Sequence, residues 1–296
     1  MFLRQLEYLV ALASERHFGR AAAVCNVSQP ALSTAIRKLE RELGVELVRR
    51  GHRYDDLTPA GRALLPWAQR ALAGVEGLEA EATRLAGDLA GRLRLGVIPT
   101  ALPAVAAITG PLLDSHPALS LEVRALSSVE IAQQLEGHAI DAGVTYLDNE
   151  PLPAVETTPV YEERYLLVTA DPPPGETVPW AALHGQSVCL LSPDMQNRRI
   201  VDAALAAAGA AAVARVETNS ISALLAFARA GRPCVAAHAW LSLYGVPEGV
   251  RALALVDPVV THSVGLVTPR TELVLPAVRA LRESLGAAEL PAPPPG

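Results

Sequence analysis

The sequence predicts an α/β protein in three parts: an N-terminal all-α winged helix-turn-helix, a long linker helix, and a C-terminal region of two parallel-sheet lobes. Three observations predict it. The first 58 residues carry helical periodicity interrupted by one tight turn. Residues 59–90 hold apolar side chains in steps of three and four, with Pro66 as the strongest interior breaker. From residue 91 onward, strand-like and helix-like segments alternate in two similar rounds. The expected boundaries are 1–58, 59–90 and 91–296, the last split into lobe I (91–161 and 266–296) and lobe II (162–265).

Arg4 to Ala13 reads as an amphipathic helix, with Leu6, Leu9, Val10 and Ala13 at helical spacing. Gly19 to Val24 is a short second helix, whose Ala21, Ala22 and Ala23 let a neighbour approach closely. Cys25-Asn26-Val27 turns the chain. Ser28 caps a third helix, Gln29 to Leu43, which tolerates Pro30 in its first turn and ends at Gly44. Its buried face is Leu32, Ile36, Leu39 and Leu43. Leu47 to Arg50 and Asp56 to Thr58 read as short strands flanking the loop Gly51 to Tyr54, a wing.

Such a unit lays the first turns of its last helix in the major groove of double-stranded DNA. The candidate contacts are Ser28, Gln29, Pro30, Ser33, Thr34 and Arg37 on that helix, with Arg50 and Arg53 on the wing. Glutamine can pair with an adenine edge, and Ser and Thr reach bases or phosphate. Arg37 suits phosphate, and the wing arginines suit the backbone or the minor groove. The net charge of −6 hides a split that favours this reading. Residues 1–62 carry 10 basic and 7 acidic groups, whereas 63–296 carry 15 and 24. The basic end is almost all arginine, the side chain with a planar donor fork for phosphate and guanine.

Other classes lack their signatures. The longest uncharged run, Leu95 to Leu113, is broken by Pro99, Pro103 and Gly110-Pro111, so no membrane span is expected. The start MFLRQLEYLV has no basic leader with an apolar core, which points to a cytoplasmic, reduced setting. Cys25, Cys189 and Cys234 share no spacing, and the last two sit in apolar runs as buried small hydrophobes. No metal-ligand spacing, nucleophile elbow, phosphate loop or dinucleotide fingerprint occurs. No cofactor and no enzymatic activity are expected.

Thr58-Pro59 opens the linker helix as an N-cap followed by proline at the first helical position. Ala68, Ala71, Val75, Leu78, Ala82, Leu85 and Leu89 then form a seam suited to pairing with a second copy. In the C-terminal region, strands are expected at Arg92–Ile98, Ser120–Ala125 and Ala142–Thr145, with helices at Leu102–Leu113 and Ser128–Glu136. The second round places strands at Ser187–Leu191, Val213–Glu217 and Cys234–Ala237, with helices at Arg198–Ala208 and Ser220–Arg229. Tyr165–Ala170 and Ser263–Thr268 are expected as crossover strands, and a final helix, Leu275–Leu285, packs on the first lobe.

The run FGRAAAVCNVSQPALSTAIRKLERELGVELVRR, followed by LTPAGRALL, resembles the N-terminal domain of the LysR-type transcriptional regulators. Family members often carry Arg where Thr34 stands. The two-lobed layout resembles the effector domain of the same family, which is similar to periplasmic binding proteins. The resemblance implies a DNA-binding regulator that dimerises through the linker helix, commonly forms a homotetramer, and senses a small anionic metabolite.

Two such lobes clamp a ligand at the carboxyl ends of their strands. The polar residues there are Thr100, Ser128, Tyr146, Gln196, Asn197 and Asn219, the candidate effector-binding set. Serine, threonine and asparagine also cap helices with no ligand present, so joint placement around one cleft is what singles these out. Arg198 or Arg199 could counter a carboxylate or pair with Asp194 or Asp202. The alternative is a ligand-independent DNA-binding repressor with a vestigial cleft.

Overall fold

The computed structural model describes residues 1–50, 54–87, 89–271, 273–288 and 290. They fall into two compact units, Met1–Gly87 with Glu136–Ala139 for the first and Asp88–Leu135 with Ile140–Gly296 for the second.

In the first unit, helices α1 (Leu3–Glu15), α2 (Phe18–Val24) and α3 (Gln29–Leu43) enclose a core of Leu6, Leu9, Leu12, Leu32, Ile36 and Leu39. Ala21 and Ala22 are buried among them, as close packing of α2 requires. His17 starts α2 by accepting from the backbone N–H of Gly19 at 3.0 Å and Arg20 at 3.2 Å. Ser28 caps α3 by accepting from Ala31 N–H. Gly44 ends α3 at φ 72°, a left-handed conformation that costs glycine nothing. Strands β1 (Val48–Arg50) and β2 (Tyr54–Leu57) pair antiparallel, as expected of a wing. The Glu40 carboxylate fixes their base by accepting from Leu47 and Val48 N–H.

Helix α4 (Pro59–Leu85) starts at Thr58, whose hydroxyl accepts from Gly61 N–H at 2.9 Å. Gly61 has a packing role: a Cβ there would lie 2.1 Å from the Leu47 carbonyl oxygen. The helix runs through Pro66 and ends at Leu85, five residues short of the expected Ala90. Leu89, expected in the pairing seam, is instead buried in the core of the second unit.

The second unit runs β3 (Gly91–Val97), a 3-10 turn (Pro99–Ala104), α5 (Val105–Ser115), β4 (Leu119–Ala125), α6 (Ser128–Glu136), β5 (Ala142–Tyr146) and β6 (Val155–Glu163). The chain then forms β7 (Tyr165–Thr169), β8 (Thr177–Pro179), β9 (Ser187–Leu191), α7 (Gln196–Ala207), β10 (Val213–Thr218), α8 (Ile221–Arg229) and β11 (Cys234–Ala237). It closes with α9 (His238–Tyr244), β12 (Arg251–Val256), β13 (His262–Pro269) and α10 (Pro276–Ser284). One sheet has the order β4-β3-β5-β13-β6, the other β10-β9-β11-β7-β12-β8. The expected β-α-β rounds supply the parallel pairs β3–β4, β3–β5, β9–β10 and β9–β11, while β8 and β12 pair parallel outside those rounds.

The sheets are mixed rather than parallel. Where the chain crosses between lobes it has no helix to reverse it, so β7 and β13 enter antiparallel to their neighbours. Neither is a strand shared by both lobes: β7 belongs to the six-stranded sheet and β13 to the five-stranded one. Glu162, Glu163 and His262 to Gly265, expected in lobe II, lie instead in the sheet of lobe I, where His262 pairs with Glu163. The crossings therefore lie at Arg164 and between Val256 and His262. Strands β6, β8 and β12 and helix α9 add to the elements expected from the sequence. Helix α10 packs on α5, as expected of the last helix.

Candidate functional site

Three chain segments leave their sheets at the same place. Strand β3 runs out into Pro99 and Thr100, β4 into Ser127 and Ser128 at the start of α6, and β9 toward Gln196 and Asn197 at the start of α7. Tyr146, the last residue of β5, lies among them. Together they line a cavity of about 10 Å³ between the lobes, room for about one water. Five of the six expected effector residues meet there: Thr100, Ser128, Tyr146, Gln196 and Asn197. Asn219 does not. It is exposed after the edge strand β10, beside Ser220, which caps α8 by accepting from Ala223 N–H.

The Tyr146 hydroxyl is the hub. It lies 3.3 Å from Thr100 Oγ1, accepts from Asn197 Nδ2 at 3.0 Å, and donates to Glu163 Oε1. Tyr161 donates to the other oxygen of Glu163. Glu163 is 0% exposed. Burial pushes its carboxyl up to about 7, against the two tyrosine bonds that pull it down. Burial, with the Glu163 charge beside it, also drives the Tyr146 phenol well above its usual range.

Capping and ligand-ready serines separate cleanly here. Ser127 and Glu130 form a reciprocal cap on α6, the Ser127 hydroxyl accepting from Glu130 N–H and the carboxylate accepting from Ser127. Ser128, its neighbour, is buried and its Oγ has no protein partner. Neither Oε1 nor Nε2 of Gln196 has one either. A buried polar group without a partner is destabilising by about 1–3 kcal/mol, so native proteins supply a water or a ligand. Two helix N-termini and a 3-10 turn surround these atoms, a setting of positive potential that favours negative charge.

Neither arginine is left to face a ligand. Arg198 binds Asp202 at 2.9 Å, as the sequence allowed, and Glu217 at 2.6 Å. Arg199 reaches across to lobe I and holds Glu150 by two bonds of 2.6 and 2.5 Å. Trp240 on α9 also crosses, donating to the Pro99 carbonyl at 3.0 Å. Cys189 and Cys234 are cross-strand neighbours, buried, with thiols raised by burial, Cys234 to about 12. No cysteine lines the cavity among the described residues. Nor is any group of His, Cys, Asp and Glu there arranged to hold a metal, and no helix is long and apolar enough to cross a membrane.

On the first unit, Ser28, Gln29, Pro30, Thr34 and Arg37 are exposed along the start of α3, and Ser33 is half-buried. Arg50 ends β1; its side chain, and all of Arg53, lie outside the described residues.

Two site residues escaped the sequence reading, Glu150 and Glu163. Both lie in the stretch between the two rounds: Glu150 falls in the run TYLDNEP (Thr145–Pro151), where only Thr145, Tyr146 and Asn149 stood out, and Glu163 falls in no motif.

Residues 3–62 match the family described as "Bacterial regulatory helix-turn-helix protein, lysR family", and residues 86–289 match "LysR substrate binding domain". The chain is 37% identical over 195 residues to the "DNA-binding transcriptional dual regulator OxyR" of Escherichia coli K12. That match covers 64% of each chain, just under two thirds of the relative's length. It is 37% identical over 174 residues to a "Probable hydrogen peroxide-inducible genes activator" of Mycobacterium xenopi, covering 58% of this chain and 90% of that one. Among solved structures, a full-length OxyR variant of Pseudomonas aeruginosa superposes with a TM-score of 0.78 at 27% identity, covering 98% and 96% of the two chains. The full-length regulator CbnR bound to its target DNA shares the fold, with a TM-score of 0.69 at 22% identity over 98% and 100%.

Proposed function

This chain belongs to the LysR family of DNA-binding transcription regulators, and from that premise we propose that its C-terminal domain senses a small anion held in the cleft between the lobes. The observation that carries the proposal is the set of buried, unpartnered polar atoms on Ser128 and Gln196, set among helix starts in a cavity with room for about one water. As it stands the cavity holds about one water, so an anion of a few heavy atoms enters only as the lobes part, and a large aromatic ligand would need far more room. The chain acts as a regulator in the cytoplasm and not as an enzyme. It binds an operator in double-stranded DNA as a homodimer paired through α4, assembled further into a homotetramer. Leu78 and Leu85, 71% and 73% exposed in the single chain, support α4 as the pairing face.

Relatives named for hydrogen peroxide favour a second reading, a peroxide sensor. Against it, the cavity offers no thiol among the described residues, and the two strand cysteines are buried with raised thiols. Peroxide sensing would therefore rest on binding rather than on thiol oxidation.

The test is a gel shift on the DNA upstream of its own gene, with sodium formate, acetate, nitrate or phosphate added, and with hydrogen peroxide in a separate arm. The proposal expects an anion to change affinity or footprint and to raise the melting temperature. A response to peroxide alone supports the second reading. Sequence-specific binding that no addition alters supports a ligand-independent repressor with a vestigial cleft.

A further inference from the structure

We propose that Glu163 is a proton switch for the cleft: a proton taken up on its carboxylate turns the Thr100 hydroxyl into a donor toward the cavity, so that a small anion enters together with one proton. This rests on the cleft being the effector site, and it names the form in which the effector is held.

The geometry is a relay of three groups. Glu163 Oε1 meets the Tyr146 hydroxyl, and that hydroxyl lies 3.3 Å from Thr100 Oγ1 at the cavity wall. Each hydroxyl has one proton to give. An ionised Glu163 only accepts, so Tyr146 gives it that proton. The Tyr146 oxygen then accepts from Asn197 and from Thr100. Thr100 is left with lone pairs toward the cavity, which repel an anion. A protonated Glu163 reverses the chain. Its hydroxyl donates to the Tyr146 oxygen, Tyr146 donates to Thr100, and the Thr100 proton is released to the cavity. The proton comes from solvent and no covalent bond to carbon changes. The charge balance agrees, because the anion replaces the buried negative charge of Glu163 instead of adding to it.

The groups packed around Glu163 add no arginine or lysine bond to its carboxylate among the described contacts. Tyr161 donates from its own strand, and Tyr165 stands on β7. His262 on β13 sits edge-on to Tyr146 and Tyr165 and is tied to Asp148 at 2.9 Å. His238 on α9 sits edge-on to Tyr161, and its Nδ1 accepts from the Arg164 N–H. Burial brings the Glu163 carboxyl up to about 7, where a physiological change of pH works the switch.

The test is calorimetric titration of the full chain with sodium formate, acetate and nitrate between about pH 6 and 9, in two buffers of different ionisation enthalpy. The expected result is an affinity that falls about tenfold per pH unit above the Glu163 midpoint, with about one proton taken up per anion in that range. Glu163→Gln, neutral and able to donate, binds the same anion with no pH dependence. Tyr146→Phe cuts the relay and weakens binding at low pH, leaving only the shallower pH dependence that the Glu163 charge imposes directly. Wild-type binding that is flat with pH and takes up no proton overturns the switch and leaves the effector site standing. Failure of every probe anion to bind at any pH overturns both. Should the Glu163→Gln chain fail to fold, the proton count on the wild-type chain still decides between these outcomes.

Discussion

Asn197 on α7 of lobe II donates its side-chain amide to the hydroxyl of Tyr146, which ends β5 of lobe I, over 3.0 Å. With the Arg199–Glu150 pair and the Trp240 bond to Pro99, this contact joins the lobes around the cavity. Tyr146→Phe removes the hub and leaves the Asn197 amide and one Glu163 oxygen unpaired in a buried site. Each orphaned group is expected to lower unfolding free energy by about 1–3 kcal/mol, read from urea denaturation. A variant as stable as the wild type would show that water fills the gap without loss.

Thr100→Val keeps the shape of the cavity wall and removes its hydroxyl. If Thr100 contacts a bound anion, affinity falls roughly tenfold to a hundredfold, the worth of a hydrogen bond to a charged group. The unliganded chain should lose a little stability as well, since valine gives up the buried contact with the Tyr146 hydroxyl 3.3 Å away. Unchanged affinity in a titration that still detects binding would remove Thr100 from the site.

Most of this site was legible because it is built from residues that begin helices. Thr100, Ser128, Gln196 and Asn197 follow apolar runs that read as strands, and topology alone sends such residues to one cleft. Asn219 obeyed the same rule and failed it, because β10 is the edge strand and the residues after it do not line the cavity. The sequence does not state strand order. Glu163 was illegible for a different reason. Its strand, β6, alternates half-buried and exposed residues with Pro159 in its middle, which removes a ladder donor and reads as a loop. The strand survives because it lies at the edge of its sheet, where a missing donor is tolerated. Leu89 continued the periodic seam of α4 but belongs to the next core, since a heptad pattern does not say which partner buries it.

Glu163 also predicts how stability depends on pH. Its carboxyl rises from an ordinary 4.5 to about 7 on folding. Between those values the folded chain holds a proton that the unfolded chain releases. Stability from this group is therefore greatest below the lower value and declines as pH climbs through the window, by on the order of 3 kcal/mol in all. Urea unfolding across this range should show the decline in the wild type and its removal in Glu163→Gln. Parallel curves for the two proteins would contradict it.

Arg37 is exposed on α3, one turn beyond the residues expected to read bases. As a phosphate contact it should contribute to every sequence alike. Arg37→Ala is expected to weaken specific and non-specific DNA binding together and to lower the slope of log affinity against log salt by about 1. Loss confined to the specific site would instead make Arg37 a base reader.

Leu78 tests the assembly without touching either site. It is 71% exposed on α4, so a charge there should leave the protomer fold intact, with a melting temperature change that is small before dissociation is counted. In a pairing seam the same charge is buried against its own copy. Leu78→Glu should therefore shift sedimentation from dimer or tetramer toward monomer. DNA affinity should fall by about a hundredfold, because two linked heads bind with an effective concentration that one head lacks. The proposed effector cavity lies in the other unit, so anion binding per chain should persist. A Leu78→Glu protein that still sediments as a dimer would move the pairing face off this stretch of α4.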